Sequence, residues 1–281
     1  MGRPLQRWLA WSLPAIALLV LAFWLQTLPP QRDLFLILNH WAAHYPAGLW
    51  SFLTLLGEAD ILFVLLSPLL LWRPQAMMAV LAAVPVGGLF SVVFKRLYEA
   101  PRPAAVLDVA QFQVIGPLLH NVSFPSGHTV SAFACAAAVL ATLITQTSSA
   151  SKNRLANAGS FNVIAVMGFV AVFSLAMAIG FSRVAVGAHW PVDVLAGASG
   201  GWLAGLSGAG VAGVAGRFPA LRQSLRNQRV LGAVLGATGL WLLWRPTDYP
   251  QGVLAVWLAA GCGVLTVVFQ LKRPEIPVSK P

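Results

Sequence analysis

The chain has 281 residues, of which 58% are hydrophobic and only 9% charged; roughly 25% would be charged in a soluble domain, so an ordinary soluble fold is excluded and a polytopic membrane protein is indicated. The formal charge of +10 does not point to nucleic acid, because Lys and Arg fall in short clusters between apolar runs and form no basic face; such clusters report membrane orientation. Cys135 and Cys262 lie inside apolar runs without CxxC spacing or a ligand cluster beside them, so no disulfide, metal or cofactor is implied.

The first apolar run, about Leu9 to Leu28, follows Arg3 and Arg7. It is long enough to span and reaches Pro29-Pro30 without a small-x-small cleavage site, so it reads as an uncleaved first helix. Gln31 to Pro46 is mixed, with Asp33, Asn39, His40, Trp41 and His44, and is expected at the interface. A second span centres on Ile61 to Trp72, with Gly57, Glu58 and Asp60 at its entrance and Arg73-Pro74 closing it. The third runs from about Ala76 to Phe94 and ends at Lys95-Arg96; a polar loop from Leu97 to Pro125 leads into the fourth, Val130 to about Gln146. A short basic connection, Ser148 to Asn157, precedes the fifth span, about Phe161 to Phe181, which ends at Ser182-Arg183. The sixth follows closely, about Pro191 to Val214. Arg217, Arg222, Arg226 and Arg229 form a further basic connection to a seventh span near Val230 to Trp244; Arg245 to Gln251 is a turn, and an eighth span covers about Val253 to Leu271. The expected fold is all-α, a single integral membrane domain over residues 1–281 with about eight spans and both termini on one side.

The loops set the orientation. Twelve of the 18 basic residues (Arg3, Arg7, Arg73, Lys152, Arg154, Arg217, Arg222, Arg226, Arg229, Lys272, Arg273, Lys280) fall on the side of the termini, which is therefore expected to be cytoplasmic. Arg32, Lys95, Arg96, Arg102, Arg183 and Arg245 fall on the other face, with Asp33, Glu58, Asp60, Glu99, Asp108, Asp193 and Asp248. Any one of these cations fits interfacial snorkelling at a span end. Together they run against the charge bias of an outer face.

That topology brings four chain positions to one membrane face: Lys95 at the end of span three, His128 at the start of span four, Arg183 at the end of span five and His189 at the start of span six. Pro125-Ser126-Gly127-His128 opens a helix whose first N–H groups and dipole favour an anion. Lys95 and Arg102 flank a proline bend at Pro101 and Pro103 and, with Arg183, present positive charge that suits a phosphoryl group. His189 and Asp193 are four apart and share a helix face, so the carboxylate can hold one imidazole nitrogen and leave the other nucleophilic. Which histidine, His128 or His189, is the nucleophile does not follow from the spacing.

These segments resemble a known family. Lys95 to Pro103 has the pattern Lys, six residues, Arg-Pro; Pro125-Ser126-Gly127-His128 is a second signature; Ser182-Arg183, five residues, His189, three residues, Asp193 is a third. All three are similar to the signatures of the type 2 phosphatidic acid phosphatase family, related to the vanadium haloperoxidases. The resemblance covers about residues 57–215 as a six-helix catalytic core and leaves 216–281 as a C-terminal two-helix extension. It implies that His189 attacks phosphorus, Asp193 orients it and His128 protonates the leaving oxygen, while Lys95, Arg102, Arg183, Ser126 and the Gly127 backbone hold the phosphate, without metal. The implied activity is that of a membrane lipid phosphatase working through a phosphohistidine. Its substrate would be a polyprenyl diphosphate such as undecaprenyl diphosphate, phosphatidate, phosphatidylglycerophosphate or a lipid A class molecule. The alternatives are a lipid phosphotransferase using the same first half-reaction and, less favoured because the charges sit at helix ends on one face, an anion transporter. The implied setting is a bacterial inner membrane with the site on the periplasmic face. Partners are then the lipid phosphate and surrounding membrane lipids, with no nucleic acid. Since no signature residue lies beyond Asp193, the last two spans are expected to be dispensable for the chemistry.

Overall fold

A computed structural model of the chain describes residues 3–29, 31–150, 163–216 and 225–273. Lys152, Arg154, Arg217, Arg222 and the tail beyond Arg273 lie outside the described residues. The helices are α1 (Arg3–Gln26), α2 (Arg32–Ala42), α3 (Ala47–Leu55), α4 (Ala59–Leu65), α5 (Leu69–Trp72), α6 (Pro74–Tyr98), α7 (Pro103–Val106), α8 (Gly127–Ala150), α9 (Val163–Ala185), α10 (Pro191–Ala215), α11 (Leu225–Leu242) and α12 (Leu254–Leu271). No strand occurs among the described residues. The fold is an all-helical membrane bundle. Among the described residues, five helical stretches, namely Trp8–Gln26, Pro74–Val106, Val166–Ala185, Pro191–Ala215 and Leu254–Leu271, are long and apolar enough to cross a bilayer, and six if the bent pair α3 and α4 counts as one. The apolar part of α8, Gly127–Leu143, is shorter; α11 carries Arg226, Asn227, Gln228 and Arg229 at its start and falls outside the five.

One expectation of the spans is corrected. The second span, expected over Ile61 to Trp72, is divided into α4 and α5 after Leu65, because Pro68 lacks an N–H and disfavours helical backbone at Ser67; α3 precedes it and meets α4 at 78°. The segment 31–46, expected at the interface, contains the helix α2, which adds to that expectation without contradicting it. Arg226 and Arg229 also belong to α11, where good helix formers extend the helix into the expected connection; Arg229 Nη2 donates to Arg273 O at 2.7 Å.

The bundle is organised around α10, which packs on α8, α6 and α1. Gly197, Gly201 and Gly205 recur every fourth residue along one stripe. A β-carbon there would run into Ser126 O and Thr129, the Val130 backbone, and Ala134 O with Ala137. Gly200 and Gly208 do the same towards Phe90 and Ala79 O on α6. Small residues at this spacing let helix backbones approach closely where no water drives association. Trp11 stacks on Trp202, with ring centroids 5.8 Å apart, and accepts at its carbonyl from Trp202 Nε1 at 3.1 Å, which seats α1 on α10. The pair α11 and α12 packs on itself and on α3, α4 and α5.

Candidate active site

The site starts from the first turn of α10. Pro191 occupies its first position, where a missing N–H costs nothing. Asp193 stands two residues further on and turns back so that Oδ2 accepts from Trp190 N at 2.8 Å. The same oxygen accepts from Ser123 Oγ and faces His189 Nδ1 at 3.2 Å. One local capping contact thus fixes a carboxylate oxygen beside an imidazole. Trp190 is buried against Phe35, with ring centroids 5.2 Å apart, and its Nε1 donates to Pro101 O at 2.8 Å, which pins the proline bend to the head of α10.

Arg102 hangs from that bend and is 5% exposed. Its Nη1 donates to Ala188 O at 2.8 Å and lies 3.1 Å from His189 Nε2. A guanidinium can only donate, so Nε2 is the acceptor and the ring proton sits on Nδ1, facing Asp193. His189 is 2% exposed; burial first, and then the charges of Arg102, Arg183, His128 and Lys95, hold its pKa well below the usual 6.5. The ring is therefore neutral, with its lone pair on Nε2.

Arg183, in the last turn of α9, is 2% exposed. Its Nη1 donates to Thr54 Oγ1 at 2.6 Å and to Tyr249 Oη at 3.2 Å. The Nε atoms of Arg102 and Arg183 are buried without an acceptor among the described residues. Asn39 on α2 supports this end of α9: its Nδ2 donates to Gln113 O and Val184 O, each at 3.0 Å, and its Oδ1 accepts from Gln113 N at 2.7 Å. Lys95 is half-buried in the last turn of α6, within reach of the fields of Arg102, Arg183 and Asp193.

The start of α8 meets the start of α10 directly. Ser126 N donates to Asp193 O at 3.1 Å, and Ser126 Oγ accepts from Thr129 Oγ1 at 2.9 Å, so the Ser126 N–H is committed to the fold and only its hydroxyl proton is left for a ligand. Val130 N is bonded to Ser126 O, the first such helical bond of α8; the N–H groups of Gly127 and His128 precede it. Gly127 has an open face, since a β-carbon there would touch nothing within 4 Å. His128 rests on Gly57, where a β-carbon would come within 2.8 Å of the His128 Cβ.

His128 and Gly127 stand at the head of a cleft of about 800 Å³ between α4, α6 and α8. Its walls are apolar or small: Phe63, Val80, Ala83, Val84, Gly87 and Gly88 on one side, Val130, Ala134 and Cys135 on the other. Glu58, Asp60 and Asp248 line it near His128, with Arg245 paired to both Glu58 and Asp60.

Every residue expected from the sequence falls at this end of the bundle, and hydrogen bonds join Arg102 to His189, His189 to Asp193, and the Ser126 backbone to Asp193. Sequence reasoning missed Ser123, Thr54, Tyr249, Asn39 and Gly57. Ser123 lies two residues before Pro125 and carried a local cue; Thr54, Tyr249 and Asn39 reach the site from distant segments and carried none. Among the described residues, no group of three His, Cys, Asp or Glu is placed to hold a metal ion.

Fold and site together define a polytopic helical membrane protein with a buried imidazole–carboxylate pair set among cationic side chains. Residues 76–212 match the family model of the PAP2 superfamily, a stretch that holds all three signatures. Among solved structures, the crystal structure of Aquifex aeolicus LpxE is similar, with 27% sequence identity, a TM-score of 0.49, and coverage of 63% of this chain and 92% of that one. No curated protein matches the chain.

Proposed function

We propose that the protein is a membrane lipid phosphatase that cleaves a phosphomonoester or diphosphate through a phosphohistidine on His189, without metal. The observation that carries this reading is the Nε2 lone pair of His189, oriented by Asp193 from the far side of the ring and facing Arg102, near an apolar cleft headed by His128. The cleft suits a hydrocarbon chain, and the cationic side chains suit the phosphoryl oxygens.

On binding, a phosphoryl oxygen takes the Nη1 hydrogen of Arg102 that His189 Nε2 now accepts, and this frees the lone pair. Nε2 attacks phosphorus while the bond from phosphorus to the lipid oxygen breaks, and protonated His128 gives that oxygen its proton. Neutral His128 then takes a proton from water, whose oxygen attacks the phosphohistidine. Orthophosphate leaves and His189 is restored. Asp193 stabilises the positive ring throughout. Arg102, Arg183 and Lys95 hold phosphoryl oxygens, joined by the Ser126 hydroxyl and the Gly127 N–H.

Residues 57–215 form the catalytic core in this reading, and 216–281 an extension. The loop charges support a site on the face away from the cytoplasm, the periplasmic one in a bacterial inner membrane. Candidate substrates are polyprenyl diphosphates, phosphatidate, phosphatidylglycerophosphate and lipid A class molecules. The test is release of radiolabelled orthophosphate from a panel of these lipids by purified protein in excess chelator. Release from at least one of them, lost in His189→Ala, is expected. Absence of release from all, or release only after magnesium is restored, refutes the proposal.

A further inference from the structure

The loop between α11 and α12 lies outside the three signatures, yet it reaches the site at two points. Tyr249 is 4% exposed and accepts at Oη from Arg183 Nη1, at 3.2 Å; the Arg183 guanidinium lies over its ring, 5.9 Å from the centroid. Arg245 pairs with Glu58 and Asp60, on either side of the start of α4 and next to Gly57, which backs His128. We propose that this loop is a structural part of the active site and that Tyr249 is a positioning residue that sets the phosphate-facing edge of Arg183.

The geometry of the guanidinium makes the case. Nη1 carries two hydrogens, and Thr54 Oγ1 and Tyr249 Oη accept one each. With that corner tied, the edge formed by Nε and Nη2, the one that pairs side by side with two phosphoryl oxygens, has a fixed direction. Nε is buried without an acceptor among the described residues, as expected of a donor held for a ligand. Thr54 alone would leave the plane free to swing about a single hydrogen bond.

Tyr249 is itself fixed. Its N–H donates to Thr247 Oγ1 at 3.1 Å, Gly116 lies against its ring so closely that a β-carbon would come within 2.5 Å of Cε1, and Gly252 abuts the Ser51 backbone on α3, the helix that carries Thr54. Both acceptors of Nη1 are therefore mounted on one packed unit of α3 and the loop. On this proposal the loop that joins the last two helices has a direct role, contrary to the expectation that they are dispensable for the chemistry.

The proposal rests on the assignment of Arg183 to the phosphoryl group, and the experiment separates the two. Orthovanadate affinity is measured by calorimetry on the purified full-length protein, on Tyr249→Phe, on Arg183→Ala and on the double variant, with thermal midpoints recorded for all. Tyr249→Phe keeps the ring and removes one hydrogen bond to a charged group, so vanadate binding should weaken on the order of tenfold, with the midpoint little changed. In the Arg183→Ala background the same change should cost nothing further, because the two residues act as one unit. Wild-type affinity in Tyr249→Phe, or losses that multiply in the double variant, overturns the proposal while leaving Arg183 on the phosphate. Wild-type affinity in Arg183→Ala, or no vanadate binding by the wild type, overturns the reading of the site and this proposal with it.

Discussion

Asp193→Asn isolates charge from geometry. The Oδ2 atom accepts from Trp190 N and Ser123 Oγ and faces His189 Nδ1 at 3.2 Å, while Oδ1 has no partner among the described residues. An amide oxygen can keep the first position and an NH₂ group can take the second, so the capping turn and the ring orientation survive. The lost element is the negative charge that stabilises the imidazole as it becomes positive on bonding to phosphorus. At 3.2 Å and an effective dielectric near 20, a full unit charge is worth about 5 kcal/mol. With half to all of that charge developed at the transition state, kcat should fall roughly 10²- to 10⁴-fold. Orthovanadate binding should hold or tighten, because an anion now meets one negative charge fewer. Steady-state kinetics with a soluble phosphomonoester, vanadate inhibition and a thermal midpoint complete the assay. A kcat within tenfold of wild type, in a protein that stays folded, refutes the orienting and stabilising role given to Asp193.

The two histidines should fail differently. His189→Ala should be inactive on every substrate, whereas His128→Ala should lose about 10²- to 10⁴-fold on a lipid phosphate and less on a nitrophenyl phosphate, whose leaving group needs little protonation; equal losses on both substrates would contradict the division of roles. Gly57→Ala places a methyl group within 2.8 Å of His128 Cβ and 2.9 Å of Ile179 Cγ2, so activity should drop by at least tenfold as His128 is displaced, and wild-type turnover would show that this contact is slack. Activity should persist in chelator and be inhibited by vanadate, a result checked by adding back magnesium. A cysteine introduced at Val106, half exposed on the site side, should react with a membrane-impermeant thiol reagent applied from outside intact cells, and protection there would reverse the proposed orientation.

Much of this site was legible because its chemistry is carried by short-range patterns. His189 and Asp193 are close in sequence, although His189 stands before the N-cap Trp190 and meets Asp193 through the capping turn and not along one helix face as expected; Arg102 is fixed by the proline bend around it, and Pro125 to His128 announces a helix start. Alternating spans then bring these fragments to one end of the bundle. The illegible parts depend on long-range contacts. Thr54 and Tyr249 meet Arg183 across separations of 129 and 66 residues, and in sequence each is an ordinary polar residue near an apolar run. The division between α4 and α5 was hidden for another reason: Pro68 interrupts the helix without lowering the hydrophobicity that marks a span.

The glycine stripe of α10 links packing to chemistry more closely than hydrophobicity suggests. Gly197 lies one turn beyond Asp193 and touches Ser126 O and Thr129, so its missing side chain allows the starts of α8 and α10 to meet. The bond from Ser126 N to Asp193 O then joins the turn that carries His128 to the turn that carries His189. A larger residue at 197 would press these turns apart and separate the proposed acid from the proposed nucleophile. In a membrane, where apolar burial does not choose between neighbouring helices, such a contact fixes which helix ends meet. The spacing of the two histidines is in this sense set by the interior of the bundle, several residues away from either of them.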